Sequence, residues 1–218
     1  MKMRKAFDST TVPDLPAGGD LYLGYVDGRY ANVDAIRHRF PHRPVVRITV
    51  TGRTFDADMA DVEAGDLTPA SGALWAKGKL DRKQFPVLYF PESSRAAIIA
   101  SLHALGVDPK HVGMFPAQYD GKAALNQPGD IGKQYLHGDK NNPGSYSGGH
   151  YDVSVVTGYW PGVDAAPKPR AAGFSVGTRA AIILATRQLR RRKKPLTVRA
   201  KARLVALQRA IDHALNLK

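Results

Sequence analysis

Short apolar runs recur along the first 160 residues, and turn residues cut each of them off. Lys5–Asp8, Leu21–Val26 (LYLGYV) and Val45–Val50 (VVRITV) are the first three; the last is rich in β-branched residues and reads as a strand. Met59–Glu63, Pro86–Phe90 (PVLYF), Val112–Gln118, Ile131–Leu136 and Tyr151–Val156 follow as further strand candidates. Helical patterns fall between the early runs. Asn32–Phe40 opens on an N-cap asparagine, a second helix covers Thr68–Lys79, and Ser93–Leu105 is capped by a serine and closed by Gly106. The last three strands have no room for helices between them.

Strands alternating with helices predict a parallel sheet. Eight candidates predict that the sheet closes as a ring of parallel strands. A regular eightfold barrel takes about 200 residues or more. Only about 160 are present here, so several outer helices must be short or absent. The expected fold is an α/β, irregular TIM-like barrel.

After residue 160 the pattern changes. Residues 161–172 hold Pro161, Pro167 and Pro169 and read as a linker. Residues 173–218 predict two helices separated by Pro195, and Leu204, Leu207, Ile211 and Leu215 share one face of the second. The pair reads as a helical hairpin. The expected division is a barrel over 1–160, a linker over 161–172 and a helical tail over 173–218.

Charge sharpens this division. Residues 161–218 carry 14 Lys and Arg against two acids, whereas residues 1–160 carry 18 against 17. A nearly neutral body therefore bears a cationic tail, whose densest run is Arg190, Arg191, Arg192, Lys193 and Lys194. A helix dipole favours one or two cations at a C-terminus but does not account for five. The run predicts a polyanion or partner surface: an anionic wall polymer, a protein neighbour in an assembly, or, with less support, nucleic acid. The chain has no cysteine, which excludes disulfides and thiolate metal sites. The basic N-terminus lacks a following apolar run of signal-peptide length, and no stretch is long and apolar enough for a membrane span. The expectation is synthesis in the cytoplasm without a signal peptide.

The candidate chemistry is carboxylate chemistry. Asp61 and Glu63 stand two apart, and on a strand such positions share a face. Barrel enzymes place their sites at the C-terminal ends of the strands. Asp8 ends the first strand and Asp152 begins the last, and closure makes those strands neighbours. Four acids at one mouth would repel each other, so at least one would keep its proton near neutrality. One protonated and one ionised carboxyl are the equipment of glycoside hydrolysis, with Glu63 as the candidate acid. Trp75 and Tyr119 are candidates for stacking on sugar faces, with core packing the alternative for Trp75 because it lies on an expected helix, and His150 adjoins Asp152 closely enough to tune it. The histidines show no metal-ligand spacing, so neither metal nor cofactor is expected. The glycines at 138, 144, 148 and 149 predict a flexible loop over the site.

FDST near the start, DVEAGD, FPAQYDG, KQYL and YDVSVV, in that order, resemble the family-25 glycoside hydrolases, the lysozymes of the N-acetylmuramidase type common in phages and actinobacteria. The resemblance covers about residues 5–156 and implies a (β/α)5(β)3 barrel. It implies Glu63 as proton donor, with Asp152 or Asp61 stabilising developing positive charge or orienting the substrate's acetamido group, and Asp8 as the first-strand aspartate. The family's AxY strand resembles Ala117–Tyr119, and its WQY strand resembles Lys133, Gln134 and Tyr135. Gln118, Tyr119, Gln134, Tyr135 and Trp75 are thus the expected substrate-binding residues. Two departures stand out: Lys133 where the family has tryptophan, and RITV in the third strand.

The resemblance implies a peptidoglycan hydrolase that cleaves β-1,4 glycan links and acts on the bacterial cell wall after lysis or virion delivery. The alternative is a non-catalytic virion or tail component, anchored to phage structural proteins by its basic helices.

Overall fold

The computed structural model describes residues 3–164. Eight strands form a closed barrel in which sequence neighbours are spatial neighbours. They are β1 (Arg4–Asp8), β2 (Leu21–Tyr25), β3 (Val45–Thr49), β4 (Met59–Asp61), β5 (Val87–Pro91), β6 (Gly113–Ala117), β7 (Gly132–Leu136) and β8 (Asp152–Val156). All eight fall on the runs read from the sequence.

The expected ring of parallel strands needs one correction. Strands β1 to β7 pair in parallel, but β8 runs antiparallel to both β7 and β1. The connection from β7 to β8, residues 137–151, stays at one rim. A chain that turns back without crossing the sheet must pair antiparallel. This reversal puts the first residue of β8 at the rim where the other strands end.

Helices are few. Among the described residues the α-helices are α1 (Val33–Arg39), α2 (Pro69–Asp81) and α3 (Arg95–Ala104). The crossover from β1 to β2 holds only a 3-10 turn, and the nine-residue link from β3 to β4 holds no helix. Five strand–helix units are therefore not present here. Side chains secure the helix-free β3–β4 link instead. Asp27 accepts hydrogen bonds from the Thr49, Thr51 and Thr54 hydroxyls and from the Val50 N–H. From α2, the Trp75 indole donates to the Thr54 carbonyl and the Lys79 ammonium to those of Phe55 and Ala57. Helix α2 begins at the expected place because Thr68 and Ser71 form a reciprocal cap.

Alternation along each strand sends one set of side chains inward. Ala6, Leu21, Leu23, Val46, Ile48, Met59, Val87, Phe115 and Val156 fill the interior, and Trp160 joins them, fully buried. The filling is tight at Gly132, where a Cβ would lie 2.3 Å from the Phe115 ring. The chain continues past residue 160 as part of the barrel: Val163 packs on the inner cluster, and Asp164 pairs bidentately with Arg4 at 2.9 and 2.7 Å. Residues 161–164, read as the start of a linker, thus pack against the barrel through Val163 and Asp164.

Outside, α2 and α3 cover one flank through Ala73, Trp75, Ala76, Ile98 and Leu102. Arg95 of α3 is buried and bridges Glu92 and Asp130, tying the helix to the β6–β7 connection. None of the described helices is long and apolar enough to cross a membrane. The basic run Arg190–Lys194 and the two expected C-terminal helices lie outside the described residues.

Candidate functional site

The apolar filling stops one layer below the rim where β1 to β7 end. Above it the inward positions turn polar: Asp8, Tyr25, Asp61, Tyr89, Gln134, Asp152 and Ser154, joined by Glu63 and Tyr119 just past their strands. They line a cavity of about 90 Å³. The cavity opens toward two grooves. One, of about 310 Å³, runs along Thr10, His137, Asp139, Asn142, Tyr151 and Asp152. The other, of about 580 Å³, runs along Thr10, Asp27, Arg29, Tyr30, Glu63 and Asp66. The mouth is thus open rather than plugged.

All four predicted acids meet there. Asp8 and Asp152 are direct cross-strand partners on β1 and β8. Asp61 ends β4, and Glu63 follows at the same side of the rim. Asp8 and Asp61 are 7% and 3% exposed, whereas Glu63 and Asp152 are half-buried and face the opening. The inner pair is therefore shielded, and the outer pair can reach a ligand.

Burial and mutual repulsion raise all four carboxyl groups above their ordinary range, because the charged form loses solvation and meets like charge. Asp8 is raised well above its ordinary value, by burial first and then by Asp152, Asp61 and Glu63. Asp61 is pushed up to about 9 by burial, Glu63 and Asp66. Among the described residues one of its buried carboxyl oxygens meets no hydrogen-bond partner. Glu63 is raised by burial, Asp66 and Asp152. Asp152 is raised by burial, but several groups oppose this: the Gly138 N–H, Gln134, the nearby His137 ring and the Asp8 carboxyl. Asp8 thus keeps a proton and donates it toward Asp152, the group best equipped to stay ionised.

A hydrogen-bonded frame holds this arrangement. The Gly138 N–H donates to Asp152 Oδ1 at 2.6 Å. The Tyr89 hydroxyl donates to Gln134 Oε1 at 2.5 Å, and Gln134 in turn supports Asp152. Asn32 holds the expected N-cap position of α1, but its side chain acts as a staple instead of capping the helix. Its Oδ1 accepts from the Tyr25 N–H and its Nδ2 donates to the Ser9 carbonyl, joining the ends of β1 and β2. Burial raises Tyr119 to about 12, so its hydroxyl stays a neutral donor. Carboxylate oxygens of Asp61, Glu63 and Asp66 lie within 4.8 Å of one another, which makes them a set of hard oxygen donors as well as proton carriers.

Several expected substrate-binding residues are elsewhere. Trp75 is 2% exposed and packs between α2 and the barrel wall, because its position on α2 faces the sheet. Tyr135 lies on the outer face with Phe7, Tyr22 and Val153, since its neighbour Gln134 takes the inward position. Gln118 is exposed and lines neither the cavity nor the grooves. Tyr119 and Gln134 are at the mouth as expected. Lys133 also faces outward, where its ammonium pairs with Asp120 at 2.7 and 2.8 Å. The tryptophan-to-lysine departure therefore leaves the cavity lining untouched. His150 is exposed, and its carbonyl accepts a hydrogen bond from Ser9.

Tyr25, Tyr89, Ser154 and His137 at the mouth escaped the sequence reading. Tyr25 and Tyr89 carried a signal, since each stands two positions from an inward residue of its own strand, Leu23 and Val87. His137 carried none, because its placement depends on an irregularity in β7.

No protein-family model matches the chain, and no curated protein matches it significantly, so the family-25 resemblance rests on the motifs quoted above. Among solved structures, one similar chain is the Mycobacterium tuberculosis Tat-secreted protein Rv2525c in complex with L-tartrate. It is 11% identical, with a TM-score of 0.41, covering 71% of this chain and 95% of that one. Another is the CTP1L endolysin, 14% identical with a TM-score of 0.43, covering 72% of this chain and 67% of that one.

Proposed function

We propose that this chain is a glycan hydrolase of the muramidase type, cutting β-1,4 links of bacterial cell-wall peptidoglycan by carboxylate acid–base catalysis. The observation that supports it most is the gathering of Asp8, Asp61, Glu63 and Asp152 at an open barrel mouth, where burial holds the protons of Asp8, Asp61 and Glu63 more tightly than usual and Asp152 is the best supported as an anion.

The roles follow from exposure and charge. Glu63 is half-buried, faces the opening and holds its proton above the ordinary glutamate range. It is the group able to protonate a leaving glycosidic oxygen. Asp152 is the carboxylate whose charge is supported by an N–H, an amide and a neighbouring imidazole. It stabilises developing positive charge on the sugar or orients its acetamido group. Asp61, shielded and kept protonated by burial, sits behind Glu63. Asp8 serves Asp152 by donating a hydrogen bond to it.

The test is loss of turbidity from a suspension of bacterial walls together with release of reducing sugar. Wild-type chain should show both, and Glu63→Gln should show neither. Wild-type chain inert across a broad pH range would remove the proposal.

A further inference from the structure

Strand β7 carries a β-bulge between Gln134 and Leu136, where two residues face one on β8. A bulge re-aims the side chains that follow it. Gln134 points into the barrel, Tyr135 and Leu136 both pack on the outer cluster, and His137 then returns to the mouth. Without the extra residue, simple alternation would put His137 outside with Tyr135.

The ring that the bulge delivers is unusual. His137 is 3% exposed, yet among the described residues neither of its ring nitrogens meets a hydrogen-bond partner. Its surroundings are otherwise well determined. Its N–H donates to the Ser145 carbonyl at 3.0 Å, and its carbonyl accepts from the Ser147 N–H at 2.9 Å. The Tyr119 ring stands edge-on to it with centroids 4.8 Å apart. The next residue, Gly138, donates to Asp152. Burying an unsatisfied polar group costs about 1–3 kcal/mol, and here two such atoms share one ring. His137 lines the 310 Å³ groove beside Asp152, with Thr10, Tyr25, Tyr119, Asn142 and Tyr151 around it, and both of its ring nitrogens are buried.

We infer that His137 is a substrate-reading residue, whose imidazole hydrogen-bonds hydroxyl or acetamido groups of a glycan ring lying in this groove, next to the bond under attack. The inference rests on the hydrolase reading above and adds the place where the sugar is held. A neutral imidazole offers one donor and one acceptor. Sugar hydroxyls act as either, and an acetamido group carries both. The walls suit such a ligand, since Tyr25, Tyr119 and Tyr151 present ring surface for C–H faces while Thr10 and Asn142 present polar groups. A groove built to hydrogen-bond a hydroxyl or amide also rejects analogues that lack it, because its own polar atoms are then left unpaired.

The experiment is calorimetric binding of soluble, peptide-free peptidoglycan strands to the full-length Glu63→Gln chain, which holds the ligand without cutting it. Adding His137→Phe should weaken binding by about tenfold or more, as expected for a lost pair of hydrogen bonds. Adding His137→Gln, which keeps a donor and an acceptor, should restore it to within about threefold. With Glu63 intact, His137→Phe should raise KM more than it lowers kcat. Saturating the Glu63→Gln chain with glycan should also shift the His137 ring nitrogen resonances, a readout that does not depend on any change at His137. Folded His137→Phe binding as tightly as its parent, both substitutions weakening binding equally, or unmoved ring resonances would each overturn the assignment. If the Glu63→Gln chain binds glycan and only the His137 results fail, the hydrolase reading stands. If neither wild type nor Glu63→Gln binds glycan, both fall.

Discussion

Asp8 and Asp152 face each other across the seam that closes the barrel, at the last residue of β1 and the first of β8. Asp8 is shielded and keeps its proton, and Asp152 receives that hydrogen bond together with one from the Gly138 N–H at 2.6 Å. Proximity and unequal exposure divide one kind of side chain into a donor and an anion. An asparagine amide can replace the protonated carboxyl as donor. Under the proposed hydrolase function, Asp8→Asn should therefore retain wall-lytic activity within about tenfold, while Asp8→Ala loses more, because Asp152 is left without that partner. Turbidity clearance by the two variants makes the comparison.

The pH profile follows from Glu63. Burial, Asp66 and Asp152 hold its proton above the ordinary glutamate value of 4.5. In the proposed mechanism its acid form is the active one, so activity should persist above that value and fall as pH rises through the raised pKa. Asp66→Asn removes one of the repelling charges and should move this limb to lower pH. Rates of wall clearance from pH 4 to pH 9, at constant ionic strength, would show the shift; a fixed limb would contradict it.

Stability should carry the opposite imprint of the same burial. The folded-state pKa of Asp61 is about 9 against an ordinary 3.8, so between those values the folded chain holds a proton that the unfolded chain has lost. Its contribution is fully present below the unfolded value and is lost as pH rises through the folded one. Asp61→Asn keeps the shape and removes the titration. It should stabilise the fold at pH 8 by about 1–2 kcal/mol while lowering activity, a trade usual at active sites. Denaturant midpoints at pH 5 and pH 8 test the sign, and the gain should shrink at the lower pH.

Gly138 is fixed by close approach rather than by backbone angle. A Cβ there would lie 2.6 Å from the Tyr151 nitrogen, a backbone atom that cannot swing away. Gly138→Ala should push the loop off Asp152, costing about 1–3 kcal/mol of stability and the N–H that supports the anion. Its activity should fall further than its thermal midpoint explains.

Lys133 is 2% exposed and meets Asp120 through both carboxylate oxygens. Removing one partner strands a buried charge. Asp120→Ala should cost about 3 kcal/mol, whereas Lys133→Met, which removes the charge itself, should cost less. Denaturant unfolding of both variants, and of the double variant, tests the inequality.

The sequence by itself determined the eight strands, the ends of the helices and the gathering of four acids. These rest on period-two patterning, on capping residues such as Thr68 and on strand ends, all of which are local. The D-x-E spacing was legible because a strand repeats every two residues. Asp8 and Asp152 were legible because closing a barrel joins its first and last strands. Tertiary structure decided the rest. It reversed β8, because the β7–β8 connection turns back at one rim instead of crossing the sheet. It placed Trp75 and Tyr135 in outer packing, since a residue's type does not say which layer its face will meet. It also put His137 in the groove, since one extra residue in a strand exchanges inside for outside, and pairing with β8 decides whether that residue is accommodated.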